Sequence, residues 1–435
     1  MGGLGPRAAV NRRVPRPAPA DPLEAFSAEE VSACVAYAKP RRRWALLALL
    51  VDLLLLACLA LSGPGRWLVR WAAELSGGWV PGQVVLAAVA VQAVRAAAAL
   101  PFSLRAFRQD SREGLATQRL PGFLLDWLKA RAVGLVLVVL PLAGLVLGAR
   151  WRPAGWPWVA AAAAALLVGG LALLGPVLIE PLFNRFTPLA AGSLRERLLA
   201  LAAGMRVPVR DVLVADASRR TTRVNAYVSG LGRTRRVVVY DTLLASPTAA
   251  PRPHGAAGDG PVAPAAARND EIAMVIAHEL AHVRHRDVLW GTVAGAAAAA
   301  GAVLAATWLL ELDRLCERLG VTGLGDPLAA PGLLLLAALA GLLAAPVASA
   351  ISRWAEARAD WVALEVTRDP ATAVAVERRL ALENRADLRP NRLLLALFAS
   401  HPPTMARIAQ AWLWAGRQRP GQPPQAATTP YNRPP

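Results

Sequence analysis

The segment His278–His282 has the pattern H-E-x-x-H, in which two histidines stand four residues apart and a glutamate follows the first. On an α-helix, residues four apart lie on the same face, so both imidazoles can bind one Zn²⁺ ion. Glu279 can then act as a general base on a water molecule at that ion. The spacing therefore predicts a catalytic zinc site, with one zinc per chain and with His278 and His282 as ligands.

The residues around this pattern predict the helix that it requires. The segment 269–271 (Asn-Asp-Glu) is suited to an N-cap, and an apolar run follows it as far as Ala277. We expect the helix to begin near Asp270. Because no helix breaker intervenes, we also expect it to continue into the apolar segment that starts at Val288.

A catalytic zinc ion takes three protein ligands and keeps one position open, so the third ligand must come from elsewhere in the chain. The best candidate is Glu356, which shares a helix face with Asp360. Glu356 would bind the ion and Asp360 would orient a histidine ligand. Spacing alone leaves an alternative open, in which Glu356 pairs with Arg353 and Asp360 pairs with Arg358 on a solvated helix face.

The other histidines are weaker candidates. His401 precedes a proline, which restricts it to an extended or turn conformation, and a rigid histidine can donate to the oxyanion of a tetrahedral intermediate. The alternative is a histidine on a surface loop. His285 could be a fourth ligand, but four protein ligands would close the site, so we expect it to face headgroups or solvent. His254 lies in the Pro-, Ala- and Gly-rich loop Ser246–Arg268 and is expected to be uninvolved.

Composition places the chain among membrane proteins, because 55% of its residues are hydrophobic and only 18% are charged. Six segments are long and apolar enough to span a bilayer: Trp44–Ser62, Trp79–Leu100, Ala130–Leu147, Trp156–Ile179, Val288–Leu312 and Pro327–Ala350. A seventh apolar stretch, Trp67–Leu75, is short and charged and is more typical of an interfacial helix. We therefore expect about six transmembrane helices, possibly seven.

The net charge of +18 comes mostly from arginine, and many of these residues lie beside the apolar segments. This distribution favours contact with anionic headgroups over nucleic-acid binding. The basic loops place both termini and the long polar insert in the cytoplasm. The three cysteines are far apart and form no C-x-x-C pair, so they predict neither a disulfide framework nor a cysteine zinc site.

Polarity along the chain predicts its organisation. Three short β-branched segments in the polar insert, Val212–Asp216, Val224–Ser229 and Arg236–Tyr240, predict a small β-sheet. The predicted parts are a disordered basic tail (1–43), four transmembrane helices (44–180), a cytosolic insert with the H-E-x-x-H helix (181–287), two transmembrane helices (288–350), a helical segment that completes the zinc site (351–417) and a disordered Pro-rich tail (418–435).

Several separated blocks resemble, in the same order, the integral-membrane zinc metallopeptidases of the CAAX prenyl protease type 1 family, relatives of the HtpX proteases. The resemblance runs from Leu100 to Arg407, and Ala-, Gly- and Arg-rich loops and tails favour a bacterial member. Eukaryotic members have seven spans, whereas six are predicted here. The blocks are Leu100–Leu104, Ile179–Leu189, Asn225–Tyr227 with Val239–Leu244, the H-E-x-x-H segment, Ser352–Asp360 and Ser400–Pro403.

The resemblance implies a predominantly α-helical polytopic membrane protein with a zinc metallopeptidase domain that contains a small β-sheet. His278, His282 and Glu356 would bind zinc, Glu279 would be the base and Asp360 would hold a ligand. Asn225 would hold the substrate backbone beside the Val224–Ser229 edge strand. His401 and Arg407 would bind substrate or stabilise the transition state.

These observations predict a zinc metalloendopeptidase that acts on membrane-associated or C-terminally processed proteins. It would be a multi-pass protein of a bacterial cell membrane with a cytoplasmic active site, and its partners would be a peptide or protein substrate and the bilayer, without nucleic acid. The alternative enzyme is a quality-control protease. An inactive scaffold is disfavoured by the intact H-E-x-x-H. A transporter is disfavoured because the spans hold few charges, chiefly Asp52 and Arg95.

Overall fold

The structure is a computed structural model that describes residues 21–151, 154–230, 232–245 and 265–418. His254 and most of the predicted loop around it lie outside these residues, as do residues 1–20 and 419–435 of the two predicted tails.

The described strands are β1 (Phe186–Pro188), β2 (Asp211–Ala215), β3 (Ala226–Ser229) and β4 (Arg236–Tyr240). The described helices are α1 (Ala28–Leu61), α2 (Gly63–Glu74), α3 (Val80–Arg112), α4 (Leu120–Trp151), α5 (Trp156–Leu178), α6 (Glu180–Phe183), α7 (Ser193–Gly204), α8 (Asp241–Ala245), α9 (Ala265–Arg284), α10 (Asp287–Leu309), α11 (Asp313–Leu319), α12 (Ala330–Thr367), α13 (Pro370–Glu383), α14 (Arg392–Phe398) and α15 (Thr404–Arg417).

Six helical segments among the described residues are long and apolar enough to cross a membrane, as predicted: α1, α3, α4, α5 with α6, α10 and α12. The predicted interfacial helix is α2. With 12 residues it is about 18 Å long, well short of the roughly 30 Å hydrocarbon core. Several spans extend beyond their apolar segments. Helix α12 continues past Ala350 to Thr367 and so leaves the membrane as one rigid element.

The N-terminal prediction is wrong for the described residues before Trp44, because α1 already begins at Ala28. Ser27 and Glu30 form a capping box. The Glu30 N–H donates to Ser27 Oγ at 3.1 Å, and the Ser27 N–H donates to the Glu30 carboxylate at 2.9 Å. Apolar residues in this basic segment also bury themselves against helices from the far end of the chain. The buried cluster comprises Phe26, Val31, Cys34, Ala381, Leu382, Leu388 and Ile408.

The predicted continuous helix through the H-E-x-x-H segment is also wrong. Helix α9 begins at Ala265, earlier than Asp270, and ends at Arg284. Arg286 then adopts a left-handed conformation with φ of 59°, and α10 begins at Asp287. The Arg286 N–H donates to the Val283 carbonyl at 3.1 Å, which closes a tight turn. This turn redirects the chain into the next span.

The four strands form one sheet in the order β1-β2-β4-β3. Strands β2 and β4 are parallel, while β1 and β3 pair antiparallel with their neighbours. The three predicted strands are confirmed to within two residues, and β1 was not predicted. Strand β3 lies at one edge of the described sheet, and one face of the strand packs on α9. The core between them includes Val224, Ala226, Ile276, Ala277 and Leu280.

Two hydrophobic cores share α12. Leu333 at its start is buried in the membrane core with residues of α1, α3 and α4, such as Leu56, Val91 and Val146. Ala359 near its end is buried in the core of the sheet and α9. Between the spans α1 and α3 the two predicted intramembrane charges pair with each other, since the Arg95 guanidinium donates to both carboxylate oxygens of Asp52 at 2.8 Å.

Candidate metal centre

Helices α9 and α12 bring the three predicted ligands together. One ligand atom each from His278, His282 and Glu356 lies within 4.8 Å of the others. The two histidine Nε2 atoms are 3.2 Å apart. The Glu356 carboxylate lies 3.3 Å from Nε2 of His278 and 3.4 Å from Nε2 of His282. Two nitrogens and one oxygen thus face a common point, which is the donor set of a catalytic zinc site.

Each histidine is fixed from behind by a carboxylate. His278 Nδ1 lies 2.8 Å from Asp360, as predicted for this residue, and His282 Nδ1 lies 2.9 Å from Asp287. A carboxylate accepts the Nδ1 proton, so each ring presents the lone pair of Nε2 towards the other ligands. Both rings are therefore held in the tautomer and orientation that metal binding needs.

The three ligand groups offer more hydrogen-bond acceptors than the described residues satisfy. Oε2 of Glu356 is buried and has no hydrogen-bond partner among the described residues. The metal-free chain can compensate only by binding protons. Burial lowers the pKa of His278, but the neighbouring carboxylates of Asp360 and Glu356 outweigh this effect and raise the pKa to about 9. A divalent cation would satisfy all three groups at once, so the residues fit a metal.

Glu279 follows the first ligand on α9 and lies beside the same centre. Burial raises the pKa of its carboxyl, and the neighbouring His278 and His282 offset part of that increase. A carboxylate with a raised pKa is a better proton acceptor near neutral pH, because its pKa is closer to that of the proton donor. The environment thus suits Glu279 to the predicted role of general base.

His401 lies at the open side of the centre. Its Nε2 is 3.3 Å from Glu356, and 64% of its side chain is exposed. Nδ1 lies 2.8 Å from Ser400 Oγ. The histidine is therefore both close to the ligands and accessible, as a residue that contacts the substrate must be.

The alternative ion pairs for Glu356 and Asp360 do not form. Arg353 donates instead to the carbonyls of Leu395 and Ala399 at 2.9 and 2.8 Å, and Arg358 pairs with Asp287. The side chains of Glu356 and Asp360 are only 11% and 12% exposed. This face of α12 is therefore buried against α9, and no solvated charge face exists there.

Arg407, which was predicted to bind substrate or stabilise the transition state, lies behind the ligands. Its side chain is buried behind His278, where it pairs with Asp360 and with Glu377, the latter at 2.9 Å. The guanidinium lies 3.3 Å from His278 Nδ1. A group already held by two carboxylates is not free to bind substrate. The geometry supports a positioning role for Arg407, and a direct substrate contact stays a prediction that this burial disfavours.

Asn225 stands at the start of the edge strand, with an exposed side chain. Its Oδ1 accepts the Ala226 N–H at 2.9 Å, and its carbonyl accepts the Tyr240 N–H at 3.0 Å. The residue thus lies on the strand predicted to receive substrate, and its carboxamide is on the outside of the sheet.

Two residues of the centre were not predicted, Asp287 and Glu377. Asp287 is five residues beyond His282, a spacing that would point it away on a continuous helix, and only the turn at Arg286 brings it back. Glu377 is buried on α13, and burial raises its pKa to about 7, with Arg407 acting in the opposite direction. A single glutamate in an amphipathic helix gives no signal in the sequence.

Two family descriptions match the chain. "Peptidase family M48" covers residues 188–415, which is 228 of 435 residues, and "CAAX prenyl protease N-terminal, five membrane helices" covers residues 9–185. In that second region the described residues hold four helices long enough to span a membrane and the shorter α2.

Curated relatives and a solved structure agree with these matches. An uncharacterized metalloprotease, YhfN of Bacillus subtilis, is 29% identical over 55% of this chain and 52% of its own length. A CAAX prenyl protease 1 homolog of Arabidopsis thaliana is 34% identical over 42% of this chain and 39% of its own. The chain thus matches about half or less of the length of these relatives.

The crystal structure of S. mikatae Ste24p superimposes with a TM-score of 0.74, at 20% identity, over 89% of this chain and 90% of that one. The likeness covers most of both chains, so the two proteins share a fold. Together with the match over more than half of its residues, the H-E-x-x-H helix and the assembled ligands show that this chain belongs to peptidase family M48.

Proposed function

We propose that the chain is a membrane-embedded zinc metalloendopeptidase that hydrolyses peptide bonds in membrane-associated or C-terminally processed proteins. One observation carries the proposal: His278, His282 and Glu356 converge on one point, and Glu279 follows His278 on the same helix. Family membership implies a metal, and two imidazoles with one carboxylate favour zinc.

The residues of the chain divide the chemistry among them. When bound, zinc supplies Lewis-acid chemistry, polarising a carbonyl and lowering the pKa of water. Glu279 accepts a proton from the attacking water and returns it to the leaving amine. Asp360 and Asp287 keep the Nε2 atoms of the two histidines directed at the centre. His401, on the open side, donates to the oxyanion of the tetrahedral intermediate.

The location of the centre supports a membrane-associated substrate. Glu356 lies on the same helix as the sixth span, so the ligands stand close to the end of the membrane segment. The match to a CAAX prenyl protease 1 homolog supports a substrate processed near its C-terminus. We further propose that the protein lies in a bacterial cell membrane with its active site facing the cytoplasm, on the basis of the basic loops.

Metal analysis and one conservative variant test this function. Detergent-purified chain should contain about one zinc ion, as a mononuclear site requires. Glu279→Gln keeps the shape of the side chain but removes the proton acceptor, so peptide hydrolysis should fall by about 100-fold or more while zinc is retained. Turnover by the variant at the wild-type rate, or full zinc content in a double His278→Ala and His282→Ala variant, would refute the assignment.

A further inference from the structure

The backbone groups at the outer edge of β3 follow a strict alternation. The Tyr240 N–H donates to the Asn225 carbonyl, and the β3–β4 register continues from that pair. In an antiparallel ladder alternate residues direct both backbone groups towards the partner strand. Asn225, Tyr227 and Ser229 therefore face β4, whereas Val224, Ala226 and Val228 direct their N–H and C=O groups outwards.

The first of these outward positions is already occupied by a side chain. The Val224 N–H donates to Oδ1 of Asn384 at 3.2 Å, and Nδ2 of Asn384 donates to the Val224 carbonyl at 3.3 Å. A carboxamide offers the same donor and acceptor as a peptide unit. Asn384 thus takes the place that one peptide unit of an added strand would otherwise occupy.

This carboxamide is held firmly in place. Asn384 ends helix α13, where its N–H donates to the Leu380 carbonyl at 3.0 Å. Its own carbonyl accepts from the Arg223 guanidinium at 2.9 Å, so the segment leading into β3 grips it from the other side. The same helix carries Glu377, which pairs with Arg407 behind the metal centre. The Asn384 carboxamide, which we call the clamp, is therefore fixed relative to the metal ligands.

Among the described residues, the only hydrogen bond at the next outward position is made by an exposed side chain. The Ala226 N–H is held by the exposed Asn225 carboxamide at 2.9 Å. A peptide that displaces this contact gains the outward groups of Ala226 and Val228, and the released Asn225 carboxamide can bond the same peptide. It gains nothing further at Val224, where both groups are taken.

We propose that Asn384 sets the register of the bound substrate, and this proposal rests on the proposed peptidase function. The clamp limits the backbone-paired part of the substrate to the two positions facing Ala226 and Val228. The ligand of this site is an extended peptide segment that is recognised through its main chain over a short stretch. Substrate residues on the Val224 side of Ala226 are not paired to the strand and need not be extended.

N-methylation of substrate amides tests the register directly. A quenched-fluorescence peptide cleaved by the detergent-solubilised full chain would be prepared as a series, each member carrying one N-methylated amide. An amide that bonds to β3 should lose about five- to tenfold in kcat/KM when methylated, the worth of one hydrogen bond. Asn384→Ala would release the outward backbone groups of Val224. Because outward positions recur at every second residue, one further substrate amide should then become sensitive to methylation, two residues from those that are sensitive in the wild type.

Arg385→Gly is the matched control. It removes the neighbouring side chain and its ion pair with Glu113, suits the positive φ of 52° at that position, and leaves the clamp intact. Its methylation profile should equal that of the wild type. A general loosening of the fold would lower all rates without adding a sensitive amide. Identical profiles for the wild type and Asn384→Ala would overturn the register proposal alone, whereas a wild type that cleaves no peptide would overturn the proposed function as well.

Discussion

At the scale of residues, the centre is built from two parallel chains of contacts. His278 is held by Asp360, which is held by Arg407, and His282 is held by Asp287, which pairs with Arg358. In each chain the arginine balances the charge of the carboxylate that orients the histidine. The two ligands are thereby fixed independently of each other.

Replacing Asp287 by Asn should weaken metal binding although Asp287 touches no proposed metal position. The amide keeps the shape but loses the charge that strengthens the bond to His282 Nδ1, so we expect zinc affinity to fall by about 10- to 100-fold. Competition with a fluorescent chelator would measure the change. Asp313→Asn, at the first residue of α11, is the matched control and should bind zinc like the wild type. Equal affinities for both variants would remove Asp287 from the centre.

The buried Glu377 should make stability depend on pH. Burial raises its pKa to about 7 from an ordinary value of 4.5, so the folded state binds the proton of this carboxyl more tightly than the unfolded state does. The resulting contribution to the free energy of unfolding is complete below pH 4.5 and is lost as the pH rises through about 7. Glu377→Gln cannot lose a proton. The Tm of this variant minus that of the wild type should therefore increase between pH 5 and pH 8 in thermal unfolding of the metal-free chain. A difference that stays constant or decreases would contradict this.

At the scale of elements, a single turn decides the geometry of the centre. The break between α9 and α10 at Arg286 brings Asp287 back to His282, although the intervening residues are ordinary helix formers. A second element, α12, carries both the sixth span and Glu356, so the position of the third ligand is tied to the packing of a membrane helix. A helix end therefore positions the carboxylate behind His282, whereas the interior of α12 positions Glu356.

Substitutions at Arg286 should have opposite effects on stability. Its φ of 59° costs an L-residue about 1 to 2 kcal/mol, which glycine avoids and a β-branched residue increases. Arg286→Gly should keep zinc and raise the Tm, whereas Arg286→Val should lower both the Tm and zinc affinity.

Arg284, the last residue of α9, serves as the control for this pair. It still has helical backbone geometry, so Arg284→Gly should lower the stability, by less than the roughly 1 kcal/mol that glycine costs in a helix interior. The same sign for both glycine variants would show that the turn does not exist in solution.

At the scale of the whole molecule, one helix connects two cores that face different solvents. The membrane core and the core beneath the sheet share α12, and the N-terminal end of α1 packs on α13 and α15 beside the centre. The first and last described helices therefore meet on the side of the metal centre. This requires both ends of the described chain to lie on one side of the membrane, consistent with six spans.

Cysteine labelling should reveal that side. In a variant with Cys34, Cys58 and Cys316 replaced by serine, Glu196→Cys on α7 and Glu317→Cys on α11 place one exposed thiol on each side of the proposed bilayer. The basic loops predict that an impermeant maleimide labels position 317 in intact bacterial cells and position 196 only after permeabilisation. The reverse pattern would invert the proposed topology.

Much of this protein follows from local sequence alone. The spacing of His278, Glu279 and His282 requires only a helix, and the lengths of the apolar segments require only a bilayer, so the motif, the six spans and the three strands were predictable. Glu356 and Asp360 were identified as a pair on one helix face, and the resemblance of their segment to a known family distinguished them from a solvated charge face.

The tertiary structure decided what depends on contacts distant in sequence. Residues 21–43 belong to a segment whose basic composition is typical of disorder, yet they fold because α13 and α15 cover their few apolar side chains. Arg407 lies behind His278 because its guanidinium pairs with Glu377 and Asp360. Asn384 closes the edge of β3 because α13 ends 160 residues further along the chain but beside Val224. Local periodicity determines which elements form, whereas the burial of polar groups on folding determines which of them meet.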